Sequence, residues 1–266
     1  DGMAQWTRRD GVATETNIMM QFPTLASNIV LGTLTMSSLP PKMLLSGACD
    51  GADTTFSDCA LEAGHSVAHF VGPGDVEWAS VRVKALHADW IYHIGSDLLD
   101  SAKIADDLEK AGERRILKTQ RTADWKERVA AMAAKRNYVQ VRSASAVYAV
   151  GWRIAEGMDP YSGRTSAENG ETPALDIGGG TGWAAQWYVD RFDAGGEDPA
   201  QCRLFFFDDG GPPWARRDEA TLKKWNFWDI TTQSWKPVVG LPPRPLGLYA
   251  GIGSTKLSEQ SSAAIR

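Results

Sequence analysis

Three short segments of the sequence have the composition of loops that bind anions. They are residues 46–53 (SGACDGAD), 178–182 (GGGTG) and 251–254 (GIGS). Glycine adopts positive φ without strain and lets a ligand approach the backbone closely. Where such a loop leads into a helix, the exposed N–H groups and the helix dipole favour a negative charge. The segments therefore predict a site for a phosphate-containing ligand, provided that each lies between a strand and a helix.

In the first segment the candidate ligand contacts are Ser46, Gly47, Gly51 and Asp53. The preceding residues, 42–45, form a short apolar run typical of a buried strand, and Asp53 is suited to begin a helix that Gly64 ends. The same residues would also form a plain tight turn in which Asp53 only caps the helix. The spacing alone does not separate these two interpretations.

The second segment offers Gly178, Gly179, Gly180, Thr181 and Gly182 as ligand contacts. Because each glycine adds conformational entropy to the unfolded chain, turn geometry alone is a weak reason for such a density of glycine. The spacing also satisfies the GxGxxA form of the dinucleotide fingerprint, with Asp208 as the ribose-binding acid. The segment resembles, in addition, the first motif of class I S-adenosylmethionine methyltransferases, so methyl transfer stays an alternative.

The third segment offers Gly251, Gly253 and Ser254 as ligand contacts, and it follows a predicted strand at residues 246–250. Neither the dinucleotide interpretation nor the methyltransferase interpretation uses this segment. A function that employs all three segments is therefore preferred.

The elements around the three segments alternate between strand and helix. We predict strands at 42–45, 65–71, 146–150, 174–177, 203–207 and 246–250, and helices at 53–64, 183–192 and through most of 76–145. Residues 1–23 are predicted to be irregular and residues 24–38 to be helical. This alternation predicts an α/β protein with a doubly wound, mainly parallel Rossmann-like sheet and helices on both faces.

The domain organisation is predicted to be a single domain over residues 1–266, because no linker-like stretch divides the chain. A polar stretch near 153–174 is predicted to be an inserted loop. A tryptophan-rich segment near 212–236 is expected to pack as a cap over the core, and stacking of such a cap on a base stays an alternative.

The composition disfavours several classes of function. The net charge of -5 argues against generic nucleic-acid binding, which needs a basic surface. Apolar runs are too short to span a membrane, and three cysteines without a CxxC pair fit a reducing cytoplasm. His65 and His69 share one face of a predicted strand without a second ligand pair, so no metal site is expected. The identity of any cofactor and the formation of a homo-oligomer stay open.

The three segments together with the pair Arg136–Asn137, a short way before the strand at 146–150, resemble the SLOG superfamily. This Rossmann-like group includes the cytokinin-activating phosphoribohydrolases called LOG, the DNA-processing protein DprA and molybdenum-cofactor carrier proteins. The resemblance covers residues 42–72, 132–151, 175–192 and 246–266. It implies a nucleotide or phosphoribosyl ligand over the carboxyl ends of the parallel strands, with Arg136 and Asn137 among its contacts.

The chain departs from that pattern in two respects. The strand before the GIGS turn comes first in the familiar members and last here, so the sequence looks circularly permuted, and residues 246–250 are predicted to pair in parallel with residues 42–45. LOG-type hydrolases also carry PGGxGTxxE, and the carboxylate position is here Gln186. Because an amide is no general base, binding without hydrolysis is expected. The alternative is a LOG-like phosphoribohydrolase whose catalytic candidates are Asp53, Arg136 and Gln186.

Overall fold

The structure of the chain, a computed structural model, describes residues 5–8, 19–20, 31–32, 42–71, 90–93, 136–155, 175–193, 196–213 and 215–266. Most of the predicted inserted loop near 153–174 and most of the predicted helical region 76–145 lie outside these residues. The predictions for these parts of the chain stay predictions.

The described strands are β1 (Gln5–Arg8), β2 (Met19–Met20), β3 (Leu31–Gly32), β4 (Lys42–Ser46), β5 (Ser66–Val71), β6 (Trp90–His93), β7 (Ala146–Gly151), β8 (Leu204–Asp208), β9 (Trp225–Asp229), β10 (Ser234–Pro237) and β11 (Gly247–Gly253). The helices are α1 (Ala52–Glu62), α2 (Gly179–Asp193) and α3 (Glu259–Ile265), with a 3-10 turn at Pro199–Gln201. Residues 136–142 are also helical.

The described strands other than β2 and β3 form one nine-stranded sheet in the order β1-β6-β5-β4-β11-β7-β8-β9-β10. The six strands from β6 to β8 in this order pair in parallel, and β1, β9 and β10 are added antiparallel at the two sides. The predicted α/β class with a mainly parallel sheet is confirmed.

Strand β11 lies at the centre of the sheet although it comes last along the chain. Tyr249 pairs with Leu44 of β4 on one side and with Ala146 of β7 on the other, and both pairings are parallel. The predicted parallel pairing of the late strand with residues 42–45 is therefore confirmed. A strand with two parallel neighbours is buried on both faces, which agrees with the apolar run of β11.

Helices cover both faces of the sheet, as the doubly wound prediction requires. On one face, Phe56 of α1 and Ile265 of α3 pack with alternate residues of the central strands, such as Leu44 and Tyr249. On the other face, Val139 of the helical segment and the apolar side of α2 pack with Leu45 and its counterparts. Each central strand thus supplies alternating residues to two cores.

The tryptophan-rich segment contributes β9 and β10, a hairpin at one side of the sheet. Trp228 and Trp235 are buried, their ring centroids lie 5.0 Å apart, and Trp235 lies 5.2 Å from the ring of Phe206. Trp225 is buried on the opposite face. These three tryptophans fill the two cores, and Trp214 lies outside the described residues.

Three predictions for the first half of the chain were wrong. Residues 5–8, predicted to be irregular, form β1; residues 31–32, predicted to be helical, form β3; and residues 90–93, predicted to be helical, form β6. β6 has the sequence Trp-Ile-Tyr-His, and β-branched and aromatic residues favour strands. Periodicity alone does not separate so short an apolar run from a piece of helix.

The predicted strand at 174–177 was also wrong. Of its described residues, only Ile177 forms a β-bridge, an isolated one to Arg153 just beyond the end of β7. Both edges of β7 are already paired, one with β11 and the other with β8, so no edge beside it remains for another strand. The second glycine segment consequently follows a bend and an isolated bridge rather than a strand.

A substitution at Gly253 tests how closely the end of β11 is packed. A Cβ atom at this position would lie 2.5 Å from the carbonyl oxygen of Val150 and 2.6 Å from Cβ of Ala52. Gly253→Ala is expected to lower the free energy of unfolding by about 1–3 kcal/mol through this overpacking, measured by urea denaturation. Gly180→Ala is the control, because a Cβ there meets nothing within 4 Å and alanine favours a helix. Equal stability of the two variants would contradict the close packing of β11.

Candidate functional site

The first and third glycine segments lie against each other at the carboxyl ends of β4 and β11. The backbone N–H of Ala52 donates to the carbonyl of Ser254 at 3.0 Å, and the N–H of Ser254 donates to the carbonyl of Val150 at 3.0 Å. Gly51 has a φ of 81° and faces Ser254, with a backbone oxygen 2.5 Å from where its Cβ would be. The packing of backbone on backbone therefore explains the glycine at 51.

Two other candidate contacts in these segments are also occupied by the protein itself. Gly251 faces Phe56, whose ring would lie 2.5 Å from an added Cβ atom. The Ser46 hydroxyl accepts a hydrogen bond from the N–H of Ala48 at 3.2 Å and lies 3.4 Å from the hydroxyl of Ser57. These groups support the loop from within.

Asp53 does not cap α1, because the helix begins at Ala52 with Gly51 before it. The interpretation of Asp53 as the helix cap was therefore wrong. Its carboxylate instead accepts a hydrogen bond from the N–H of Cys49 at 3.1 Å and another from the N–H of Gly47. Burial raises the pKa of Asp53 to about 6, although the Arg136 charge and the two N–H groups oppose the rise. Asp53 thus holds a negative charge where the first segment would otherwise receive an anion.

Arg136 meets the first segment from the opposite face of the sheet. Its Nη2 atom donates to Sγ of Cys49 at 2.9 Å, and a Cβ at Gly47 would lie 3.3 Å from Nε of Arg136 and 2.8 Å from Oδ2 of Asp53. Gly47 therefore separates a buried cation from a buried carboxylate, and a larger residue would not fit between them. Arg136 thus meets the first glycine segment, and Asn137 is half-buried beside it, while their predicted contact with a ligand stays a prediction.

Gln140 and Cys49 belong to this site but were missed in the sequence. Nε2 of Gln140 donates to the carbonyl of Leu45 at 2.8 Å and to the carbonyl of Gly251 at 3.2 Å, so it ties the ends of β4 and β11 together. Gln140 follows Arg136 by one helical turn, which places both on one side of the helix. That i, i+4 spacing from Arg136 is the feature of the sequence from which Gln140 could have been predicted.

The second glycine segment forms the start of α2. Gly178 lies against Trp152, whose ring carbon would be 2.2 Å from an added Cβ, so packing accounts for this glycine. Gly179, with a φ of 64°, and Gly180 face open space, with nothing within 4 Å of an added Cβ. The N–H groups of Gly179, Gly180 and Thr181 belong to the first turn of the helix, where no partner exists within the helix.

The last two residues of this segment are part of the helix and are buried. Thr181 is 8% exposed, and its methyl group is directed to Gly151 at the end of β7. The N–H of Gly182 donates to the carbonyl of Gly178 at 3.3 Å, the first hydrogen bond of α2. The open part of the segment is therefore Gly179–Gly180 together with the N–H of Thr181.

A buried ion network holds the chain just before α2. Asp176 accepts from Nε of Arg153 at 3.0 Å, from Nε1 of Trp235 at 2.9 Å and from Nη1 of Arg216 at 3.3 Å. Asp176 and Arg153 are both buried. Breaking a buried ion pair of this kind costs about 3–5 kcal/mol, so the network fixes the position of the helix start. Asp176 acts as an anchor, with its carboxylate occupied by these donors.

Asp208 and Gln186, two further candidates, are buried and are hydrogen-bonded within the protein. Asp208 is fully buried, accepts from the N–H of Gly210 at 2.9 Å, and has a pKa raised to about 6 by burial. Nε2 of Gln186 donates to Oδ1 of Asp190, one turn further along α2, at 2.8 Å. Neither contact brings these side chains to the Asp53 and Arg136 pair.

Comparisons with models of protein families, with curated proteins and with solved structures each found no match to the chain. Within the part of the chain that the structure describes, no helix has the length and apolar character needed to cross a membrane. The same residues contain no group of three or more His, Cys, Asp or Glu side chains arranged to hold a metal ion.

Because the pKa of Asp53 is raised, the free energy of unfolding is expected to depend on pH. A substitution of Asp53 isolates its contribution to this dependence. Since the pKa of about 6 in the folded protein exceeds the ordinary value of 3.8 for an aspartate, folding favours the protonated acid. The stabilising contribution of Asp53 to the free energy of unfolding is fully present below pH 4, and it is lost as the pH rises through 6. Asp53→Asn removes the titration, so its stability relative to the unmodified protein is expected to rise by up to about 3 kcal/mol between pH 4 and pH 7.

Urea denaturation of both proteins at a series of pH values measures this difference. His69 and Asp208, whose pKa values are also shifted by burial, titrate alike in the two proteins and cancel. Parallel stability profiles would show that Asp53 titrates normally.

Proposed function

We propose that the protein binds a nucleotide or nucleotide-derived phosphoribosyl ligand at the carboxyl ends of the parallel strands, with its phosphate on the first turn of α2. One contrast between two helices carries this proposal. The start of α1 already has a carboxylate, Asp53, on the N–H groups of its loop, whereas the first turn of α2 has no acidic residue, and Gly179 and Gly180 face open space. An anion is stabilised at such a helix start.

The topology supports the same location. Strand β11 is followed by α3 on one face of the sheet, and its neighbour β7 leads to α2 on the other face. Ligands of open α/β sheets bind where adjacent strands send their connections to opposite faces. At this location the start of α2 lies beside the end of β7, with Thr181 next to Gly151, and the segment 251–254 is at the end of β11.

The charges favour a phosphate group rather than a cation. The amino end of the α2 dipole and the Arg136 guanidinium are both positive, and the Asp53 carboxylate lies beside Arg136. The SLOG resemblance of the sequence motifs implies the same ligand class, and under this proposal the late position of β11 reflects a circular permutation. None of the three cysteines forms a disulfide, which supports a reducing compartment such as the cytoplasm.

Methyl transfer is not favoured by the local geometry. The methyltransferase motif and the dinucleotide fingerprint both need a strand directly before the glycines. Here residues 175–178 supply one bridge residue, Ile177, and the acid expected to bind ribose, Asp208, is fully buried.

Gly180→Asp tests whether the phosphate binds at the start of α2, because the substitution is expected to affect stability and nucleotide binding in opposite directions. A carboxylate in the first turn of α2 is expected to leave the fold intact or to stabilise it by about 0.3–1 kcal/mol. The same charge is expected to weaken nucleotide binding about tenfold or more, which corresponds to 1.4 kcal/mol. Thermal unfolding of the protein is followed with AMP, ADP, ADP-ribose, NAD and S-adenosylmethionine, and a ligand at 100 times its Kd stabilises by about 2.7 kcal/mol.

Gly180→Asn is the matched control, because it adds a side chain of the same shape without the charge. We expect Gly180→Asn to bind more tightly than Gly180→Asp. Binding that is the same in the unmodified protein and in both variants would place the phosphate elsewhere. Failure of the whole panel to stabilise the unmodified protein would overturn the proposed function.

A phosphoribohydrolase is the second candidate, and Asp53 is the observation that favours it. A buried carboxyl with a pKa of about 6 beside a guanidinium has the properties of a general acid or base near neutral pH. Gln186, at the position of the LOG carboxylate, has an amide in place of the acid, and this amide donates a hydrogen bond to Asp190.

Binding without turnover is the expected result when base release from nucleoside monophosphates is assayed by chromatography. The loss of a required general acid or base lowers a rate by about 10²–10⁴, and Gln186 stands where that acid is needed. Rapid hydrolysis by the unmodified protein would contradict this expectation. If that activity were lost in Asp53→Asn and kept in Gln186→Ala, Asp53 would be the catalytic group.

A further inference from the structure

A second concave site lies at the amino ends of the parallel strands, on the face that α1 and α3 cover. It is a cavity of about 520 Å³, within the size range of small-molecule sites. Lys42, the first residue of β4, lines it, whereas Ser46 at the other end of β4 belongs to the first glycine segment. The two sites are thus separated by the length of a strand, and the proposed nucleotide function does not use the cavity.

The walls of the cavity are rich in aromatic rings. Phe56 of α1, Tyr148 of β7, Tyr249 of β11 and Trp225 of β9 line it. The ring of Tyr148 meets the ring of Tyr249 at 6.0 Å and that of Trp225 at 6.4 Å, both edge to face. The four rings are only 5–8% exposed, so they form the floor of the cavity and present a small part of their apolar area to a ligand.

The hydroxyl groups in these walls already have partners in the protein. The Tyr148 hydroxyl donates to the carbonyl of Pro243 at 2.6 Å, and the Tyr249 hydroxyl lies 2.7 Å from Nδ1 of His65. A ligand therefore does not need to supply hydrogen bonds to the two phenols. Its body has to match apolar surface.

The charges that line the cavity are positive. Lys42, Arg244 and Arg266 contribute to it, and of the described residues that line it none is acidic. Arg266 has a carboxylate nearby, since its Nη1 lies 3.7 Å from Glu62. Burial lowers the pKa of His65, and the charges of Lys42 and Arg244 lower it further, so both cations act on a side chain that lines the cavity.

We infer that this cavity binds a small flat aromatic molecule that carries one anionic group, such as an aromatic carboxylate. The ring of the ligand packs among Tyr148, Tyr249 and Trp225, and its anion faces Lys42 and Arg244. Aromatic walls without an anion partner would accept neutral and anionic ligands alike. The two cations make the site selective for the anion.

Two probes of equal shape and different charge test the inference. Binding of 2-naphthoate and of neutral 2-naphthamide to the full chain is measured by isothermal titration calorimetry. We expect 2-naphthoate to bind with a Kd below about 1 mM and 2-naphthamide to bind more weakly. Equal affinity for the two probes would contradict the selectivity, and no binding of either would overturn the inference.

Variants then separate the two parts of the site. The double variant Lys42→Gln/Arg244→Gln is expected to weaken 2-naphthoate about tenfold and to leave 2-naphthamide nearly unchanged, because only the ion pairs are lost. Lys236→Gln, an exposed lysine of β10 that does not line the cavity, is the charge control. An equal loss in this control would show that net charge, not the cavity, attracts the anion.

A third variant locates the ring of the ligand. Ala63→Trp introduces a large side chain from the exposed end of α1, where Ala63 lines the cavity, and is expected to abolish binding of both probes. Circular dichroism confirms that the variant is folded. Unchanged binding in a folded Ala63→Trp would place the probe elsewhere. Gly180→Asp, which tests the nucleotide proposal, is expected to bind 2-naphthoate normally, so the two proposals fail independently.

Discussion

The central position of β11 is the constraint on which the rest of the structure depends. The last strand of the chain lies between β4 and β7 and pairs in parallel with both, so residues about two hundred positions apart form one sheet. The fit is tight where β11 ends, because Gly253 contacts the carbonyl of Val150 and the first residue of α1. Glycine at 253 is therefore a requirement of the sheet. This arrangement also brings the segment 251–254 onto the start of α1.

The central position of β11 determines which glycines are accessible to a ligand. The first and third segments use their backbone groups on each other and on the Asp53 carboxylate, whereas Gly179 and Gly180 at the start of α2 face open space. Similar sequence patterns thus have different physical causes. Arg136 and Gln140 contact the first and third segments from the other face of the sheet. The Arg153–Asp176 network holds the second segment in position.

The sequence allowed prediction of the central strands and of the α/β class, because short apolar runs followed by glycine turns have few alternatives in a parallel sheet. It also indicated Asp53 and Arg136 as candidate contacts of one ligand, and the structure brings these two side chains together. The helix predicted around 31–32 and the strand predicted at 174–177 were wrong for different reasons. A two-residue ribbon has too little periodicity to detect, and a segment beside a strand with both edges paired cannot join the sheet. The open space over Gly180 is a tertiary property that composition does not encode.

The most direct test of the account is which backbone N–H groups respond to a nucleotide. In amide NMR spectra of the full chain titrated with AMP, the account predicts that the largest shift changes occur at Gly179, Gly180 and Thr181. Gly47 and Cys49, whose N–H groups already donate to Asp53, are expected to change little. Large changes at Gly47 and Cys49 with none at Gly179–Thr181 would contradict the central claim that the start of α2 is the anion site.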